Sequence, residues 1–195
     1  GTWSISETRP DENVLPPSIY AALQAELDGR HPNERLVLQR AAVVGRVFWD
    51  SVMQQLCRGV QADYKIERAL RSLRVAGILH ERTTTAVDGA TEYRFSSELF
   101  QQVCYDSLLH RERSQLHADV ARVLTGADFD VEPTLLARHY RLAERPTQAV
   151  ECLLRAAEGQ LLASSLTEVE EVLDTVHEIL QERSGIGSKR VAERD

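Results

Sequence analysis

At 195 residues, with 43% hydrophobic and 27% charged side chains, the chain is long enough to bury one large core or two small ones. A net charge of −7 excludes a protein that wraps nucleic acid along its whole length, and the scarcity of aromatics beside many Leu, Ala, Arg and Glu favours helix. No apolar run reaches bilayer length and no charged start leads into an apolar stretch, so the expected compartment is the cytoplasm and no membrane partner is expected.

In chain order, residues 1–16 are polar and read as a linker, with Trp3 as the only large aromatic. Pro16-Pro17-Ser18 opens a helix carrying Ile19, Leu23 and Leu27 at four-residue spacing, which Gly29 ends. Pro32 or Asn33 opens a second, largely buried helix through Leu36, Leu38, Ala41, Ala42 and Val44, stopped by Gly45. Phe48 and Trp49 lead into a short helix with Val52, Met53 and Leu56. Asp63 is placed to cap a fourth, whose stripe is Ile66, Ala69, Leu70 and Leu73 and which Gly77 closes.

The period then changes. Residues 78–83 and 91–95 are β-prone and flank Asp88-Gly89, a hairpin signal. Three helices and a hairpin is the winged-helix order, so residues 17–95 are assigned to such a domain. After it only helical periodicity continues. Ser96 or Ser97 caps a helix with Leu99, Val103, Leu108 and Phe100 inward, and the next carries Leu116, Val120 and Leu124. Residues 96–131 are read as connecting helices, ending in a loop from Gly126 to Val131.

Residues 132–143 and 147–163 form a helical hairpin punctuated by Pro146, with Tyr140, Ala143, Ala149 and Ala156 or Ala157 as close-contact positions. A further amphipathic helix, Ser165 to Leu180, turns Leu166, Val169, Leu173, Val176 and Leu180 inward. Residues 132–182 thus have the size of tetratricopeptide-like units, while 183–195 read as a flexible tail. One and a half units bury no continuous repeat core, so the chain is expected to be cut from a longer protein. The expected fold class is mainly α: a winged helix with a small β-hairpin, then tetratricopeptide-like helical hairpins.

Charge follows the same division. Residues 32–95 hold 10 Lys+Arg against 7 Asp+Glu, and residues 96–195 hold 11 against 18. Cys57, Cys104 and Cys152 are widely spaced among apolar residues and read as buried thiols, with no zinc-ligand spacing.

Several separated blocks recur in order. They are Gly1-Thr2-Trp3, Leu15-Pro16-Pro17-Ser18-Ile19, Ala25-Glu26-Leu27-Asp28 and Glu34 through Phe48. Later come Tyr93, Phe95, Leu99, Tyr105, Leu108-Leu109, Arg113 and Leu116-His117. Over roughly residues 1–163 this pattern resembles STAND-type signal-transduction ATPases. In that group a nucleotide-binding core precedes a winged helix and tetratricopeptide-like repeats, often linked to nucleotidyl cyclase, kinase or transcription-factor domains. The resemblance implies an ATPase core upstream in the same polypeptide, and a protein partner or effector on the repeat arm.

Two positions depart from the group. Ser97 stands where it usually has a histidine that in related switch ATPases can contact the diphosphate, and Glu26 stands where it favours arginine. Each change removes a donor or cation from a nucleotide-sensing position, and a carboxylate repels phosphate. No G-x-x-x-x-G-K-[ST] loop occurs in the chain. The chain itself is therefore expected to be non-catalytic, with no cofactor and no metal.

Lys65, Arg68, Arg71 and Arg74 recur every third residue opposite the apolar stripe of the fourth helix, where a DNA-reading helix would sit. A DNA- or partner-contacting face is one reading and a solvated surface the other, with DNA ranked below internal packing. His110 and His117 fall seven apart on one face, and the resemblance gives His117 a packing role. The function expected is regulatory: coupling a nucleotide-binding core to a partner-binding arm, with a DNA-binding transcription regulator as the alternative.

Overall fold

Proline sets the first two helix starts. In the computed structural model, which describes residues 17–60, 62–82, 89–126, 131–162 and 169–181, α1 (Pro17–Asp28) and α2 (Pro32–Val44) both begin on proline, whose fixed φ suits a first turn. The His31 ring accepts from the Asn33 N–H at 3.2 Å in front of α2. Gly45, at φ +147°, stops α2 in a backbone conformation that side-chain-bearing residues rarely adopt.

The segment after α2 differs from expectation. Val47–Trp49 is a short strand, β1, before α3 (Asp50–Cys57). After α4 (Asp63–Val75) come β2 (Leu79–Arg82) and β3 (Glu92–Phe95). The sheet order is β1-β3-β2, antiparallel throughout, with Phe48 opposite Tyr93 and Leu79 opposite Phe95. A hairpin alone would leave β3 with an open edge, and β1 closes it. The Asp50 carboxylate accepts from the Thr91 N–H at 3.0 Å and fastens the start of α3 to the strand entry.

This helix–strand–helix–helix–hairpin order is that of a winged helix. The molecule is mainly α with one small sheet.

Asp63 is a further correction. It is the first residue inside α4, while Ala62 occupies the cap position without a side-chain bond. Its charge therefore acts on the helix dipole rather than as a cap.

Five more helices come next among the described residues: α5 (Glu98–Asp106), α6 (His110–Gly126), α7 (Pro133–Leu142), α8 (Pro146–Leu162) and α9 (residues 169–181). Pro146 opens α8 rather than merely separating it from α7. The turn between them holds Glu144 at φ 56°. Ala149, Cys152, Ala156 and Ala157 are buried on α8, and these small side chains let it lie close against α7.

Three leucines expected inside lie outward. Leu99 is 44% exposed, and Leu173 and Leu180 are each 47% exposed. In their place Phe100, Val103 and Cys104 fill the inner face of α5, and Val172, Val176 and Ile179 that of α9.

The core is one continuous cluster from Leu27 to Ile179. Under the sheet Phe48 packs on Tyr93 and Phe95, with ring centres 5.8 and 5.9 Å apart. The decisive element is α6, which packs on α2 and α3 on one side and on α7 on the other. No helix among the described residues is long and apolar enough to cross a membrane. The 1–16 linker with Trp3, Asp88 of the hairpin turn, most of the loop after Gly126, the helix start with Leu166, and the 183–195 tail lie outside the described residues.

Candidate functional site

The seam between the winged block and the helical arm is crossed by three side chains in series. Tyr105 comes from α5, His117 from α6 and His139 from α7. The Tyr105 hydroxyl lies 2.9 Å from His117 Nε2, and His117 Nδ1 lies 2.9 Å from His139 Nδ1. Both rings are nearly inaccessible, at 3% and 2% exposed. An Nδ1-to-Nδ1 contact holds one proton, so one imidazole donates and the other accepts while both stay neutral. His139 Nε2 is buried without a partner among the described residues.

The electrostatics favour this neutral state. Burial, reinforced by Arg138 and Arg113, lowers His117 from 6.5 to about 4. Burial, then His117 and Arg138, lowers His139 to about 3. Arg113 lies over the Tyr105 ring at 5.0 Å and pairs with Asp106 at 3.4 Å, so the cationic side of the seam is fixed in place. Neutral, buried rings without a carboxylate partner are poor proton shuttles near pH 7. They serve instead as a directional latch.

Beside the latch is a cleft of about 590 Å³, walled by Ala42 and Val43 of α2, Glu98 and Gln101 of α5, and Arg138 and Leu142 of α7.

His110 and His117 are not brought together. His110 is exposed and faces Glu144 at 3.7 Å. Among the described residues no group of three or more metal-ligating side chains is gathered.

Ser97 is the N-cap of α5, its hydroxyl accepting from the Phe100 N–H at 3.1 Å. The Ser96 hydroxyl donates to the Ile78 carbonyl at 2.9 Å. Glu26, on the surface of α1, pairs with Arg30 at 2.8 Å one turn on. Both positions singled out for nucleotide sensing thus have local partners.

The four cations of α4 do not converge. Each three-residue step turns about 60° short of a full circle, so Lys65 and Arg74 end on opposite edges of the helix. Lys65 and Arg68 line a hollow at the start of α2 with His31, Glu34 and Tyr64. Arg74 is bound in an ion pair to Glu81 of β2.

The cysteines are buried thiols. Burial pushes Cys57 up to about 11 and Cys104 up to about 12, which removes the thiolate a nucleophile needs.

His139 is the residue that sequence reasoning missed. The available signal was a polar ring within the apolar stripe of Leu136, Ala137 and Tyr140, but spacing along one helix cannot reveal a partner 22 residues away on another. Comparison with family models, with curated proteins and with solved structures finds no match for this chain.

Proposed function

We propose that the chain is a non-catalytic connector in a larger signalling ATPase, joining an upstream nucleotide-binding core to a partner-binding helical arm built on tetratricopeptide-like pairing. The observation carrying this reading is the double membership of α6. Its Leu116, Val120 and Leu124 lie in the core that the winged block shares, while His117 on the same helix binds His139 of α7. A load on the arm therefore reaches the winged block through one rigid rod and one hydrogen-bonded latch. Coupling requires that the load favour one docking of α7 against α6 over another.

A DNA-binding role has less support. The cations of α4 spread around the helix, and Glu67 and Glu81 dilute them. Specific DNA contact needs several basic groups presented to one groove.

The test joins the chain to the region encoded upstream and measures ATP turnover. A His139→Phe change should alter turnover several-fold with nucleotide affinity unchanged, while the 195-residue chain alone turns over none. Hydrolysis by the chain alone, or an upstream region without a phosphate-binding loop, would overturn the reading.

A further inference from the structure

The far side of the arm carries a second feature. α9 lies beside both α7 and α8: Val172, Thr175 and Ile179 line one cavity with Ala137 and Leu153, while Ile179 and Leu180 line another with Val150 and Pro146. The start of α8 thus meets the end of α9, and the two run antiparallel. Two helices lying side by side leave a groove between them, here on the side away from α7.

Leu154 and Leu161 stand seven residues apart on α8 and are 44% and 57% exposed. Leu173, 47% exposed, stands seven residues before Leu180 on α9. At 100° per residue, Leu154 and Leu161 fall beside Val150, and Leu173 falls beside Leu180. The two leucine rows therefore flank one groove, each spanning about 10 Å, or two helical turns. Leu180 also lines a small cavity of about 130 Å³ with Pro146 and Val150.

Charge is as one-sided as the leucines. Over α8 and the described part of α9 there are six carboxylates and one guanidinium, Arg155. Glu151 and Glu158 alternate with Leu154 and Leu161 along α8, and both are exposed. Glu170, Asp174 and Glu178 run down the outer side of α9. Apolar rows at helical spacing inside an acidic rim are the complement of a helix with an apolar stripe and basic flanks.

We propose that the α8–α9 groove binds a basic amphipathic helix of another protein, its apolar stripe against Leu154, Leu161 and Leu173 and its lysines and arginines against Glu151 and Glu158. This deepens the arm half of the connector reading and rests on it for its role, but on different residues for its chemistry. The partner's apolar side chains bury the exposed leucines, while the acidic rim sets orientation and rejects acidic helices.

The probe is a fluorescent helical peptide of roughly 18 residues, about five turns, with leucines along one face and lysine and arginine elsewhere. Its twin keeps the leucines and replaces the basic residues with glutamate. Anisotropy titrations with the 195-residue chain should show the basic peptide binding at least tenfold more tightly, with the difference shrinking in high salt. Leu161→Asp should weaken it tenfold or more; because Leu161 is 57% exposed, the helical circular dichroism should be kept. Glu151→Lys combined with Glu158→Lys should reverse the preference between the peptides, a readout that does not depend on any leucine variant.

Equal binding of the two peptides would overturn the proposal, as would equal binding to the parent and Leu161→Asp chains. So would sedimentation showing a dimer that Leu161→Asp dissociates with no peptide bound, since a second copy would then fill the groove. Peptide binding that leaves turnover of the joined ATPase unchanged would sink the connector reading and keep the groove. Altered turnover on His139→Phe without peptide binding would do the reverse.

Discussion

The winged block and the arm share one apolar core but differ in what else holds them. Beneath the sheet, the Phe48 ring stacks on Tyr93 and meets Phe95 at a tilt, and Phe48 and Phe95 are fully buried. That burial is non-directional and large, so the block tolerates small shifts without losing much. The arm buries Leu136, Leu153, Val172, Val176 and Ile179 in the same core, but it also depends on small side chains that allow close helix approach, Ala149, Cys152, Ala156 and Ala157, and on the ring-to-ring bond of His117 with His139. A hydrogen bond between two buried rings depends steeply on angle and distance, so it is either made or lost. If the connector reading holds, the block is the part expected to stay whole and the seam the part expected to change.

The largest way to break that contrast is Phe95→Ala, which should cost about 3–5 kcal/mol by opening a cavity in the packed core. Denaturant titration should then show the block and α6 unfolding together, because α6 belongs to its core. A surviving block with a lost arm would contradict that division of forces.

Acid sharpens it from the other side. The folded-state values of both histidines lie below 6.5, so the folded molecule binds their protons more weakly than the unfolded chain does. Their contribution is complete above pH 6.5 and is lost as pH falls toward about 4 and then about 3. The pair should therefore lose several kcal/mol over this range. Hydrogen exchange should show α7 loosening before the sheet as pH falls. Equal loss across both regions would argue against a latch.

Smaller effects probe the ends of single helices. Ser97→Ala removes the cap of α5 and should cost about 1 kcal/mol, shared by block and arm because α5 touches both sides of the seam. Glu144→Gly should act on the arm alone and in the opposite direction. At φ 56° a glutamate holds a left-handed conformation that glycine adopts freely, so stability should rise by up to about 1 kcal/mol. Thermal melts of the two variants would show both signs.

Sequence pattern revealed the elements with long apolar stripes and clear stops. α2, between Pro32 and Gly45, and α4, ending before Gly77, are of this kind. It missed β1 because three residues are too few to show an alternating period, and Phe48 and Trp49 suit a helix start as well as a strand. It turned Leu99, Leu173 and Leu180 inward because leucine spacing was weighed without the neighbours. On α5 Phe100 and Val103, already read as inward, hold the inner face with Cys104, and on α9 the competing stripe of Val172 and Ile179 decides it. Of the site, Tyr105 and His117 were already marked in the sequence. His139 was not, since only tertiary packing brings α6 and α7 into register.

The placement of the three thiols has a practical consequence. Cys57 lies in the winged block, Cys104 at the seam and Cys152 in the arm, each enclosed in its own neighbourhood. A thiol reagent added to the native molecule would reach each sulfur only when that neighbourhood opens. Timing the three modifications separately by mass spectrometry would rank the neighbourhoods by how often they breathe, with no label or substitution introduced.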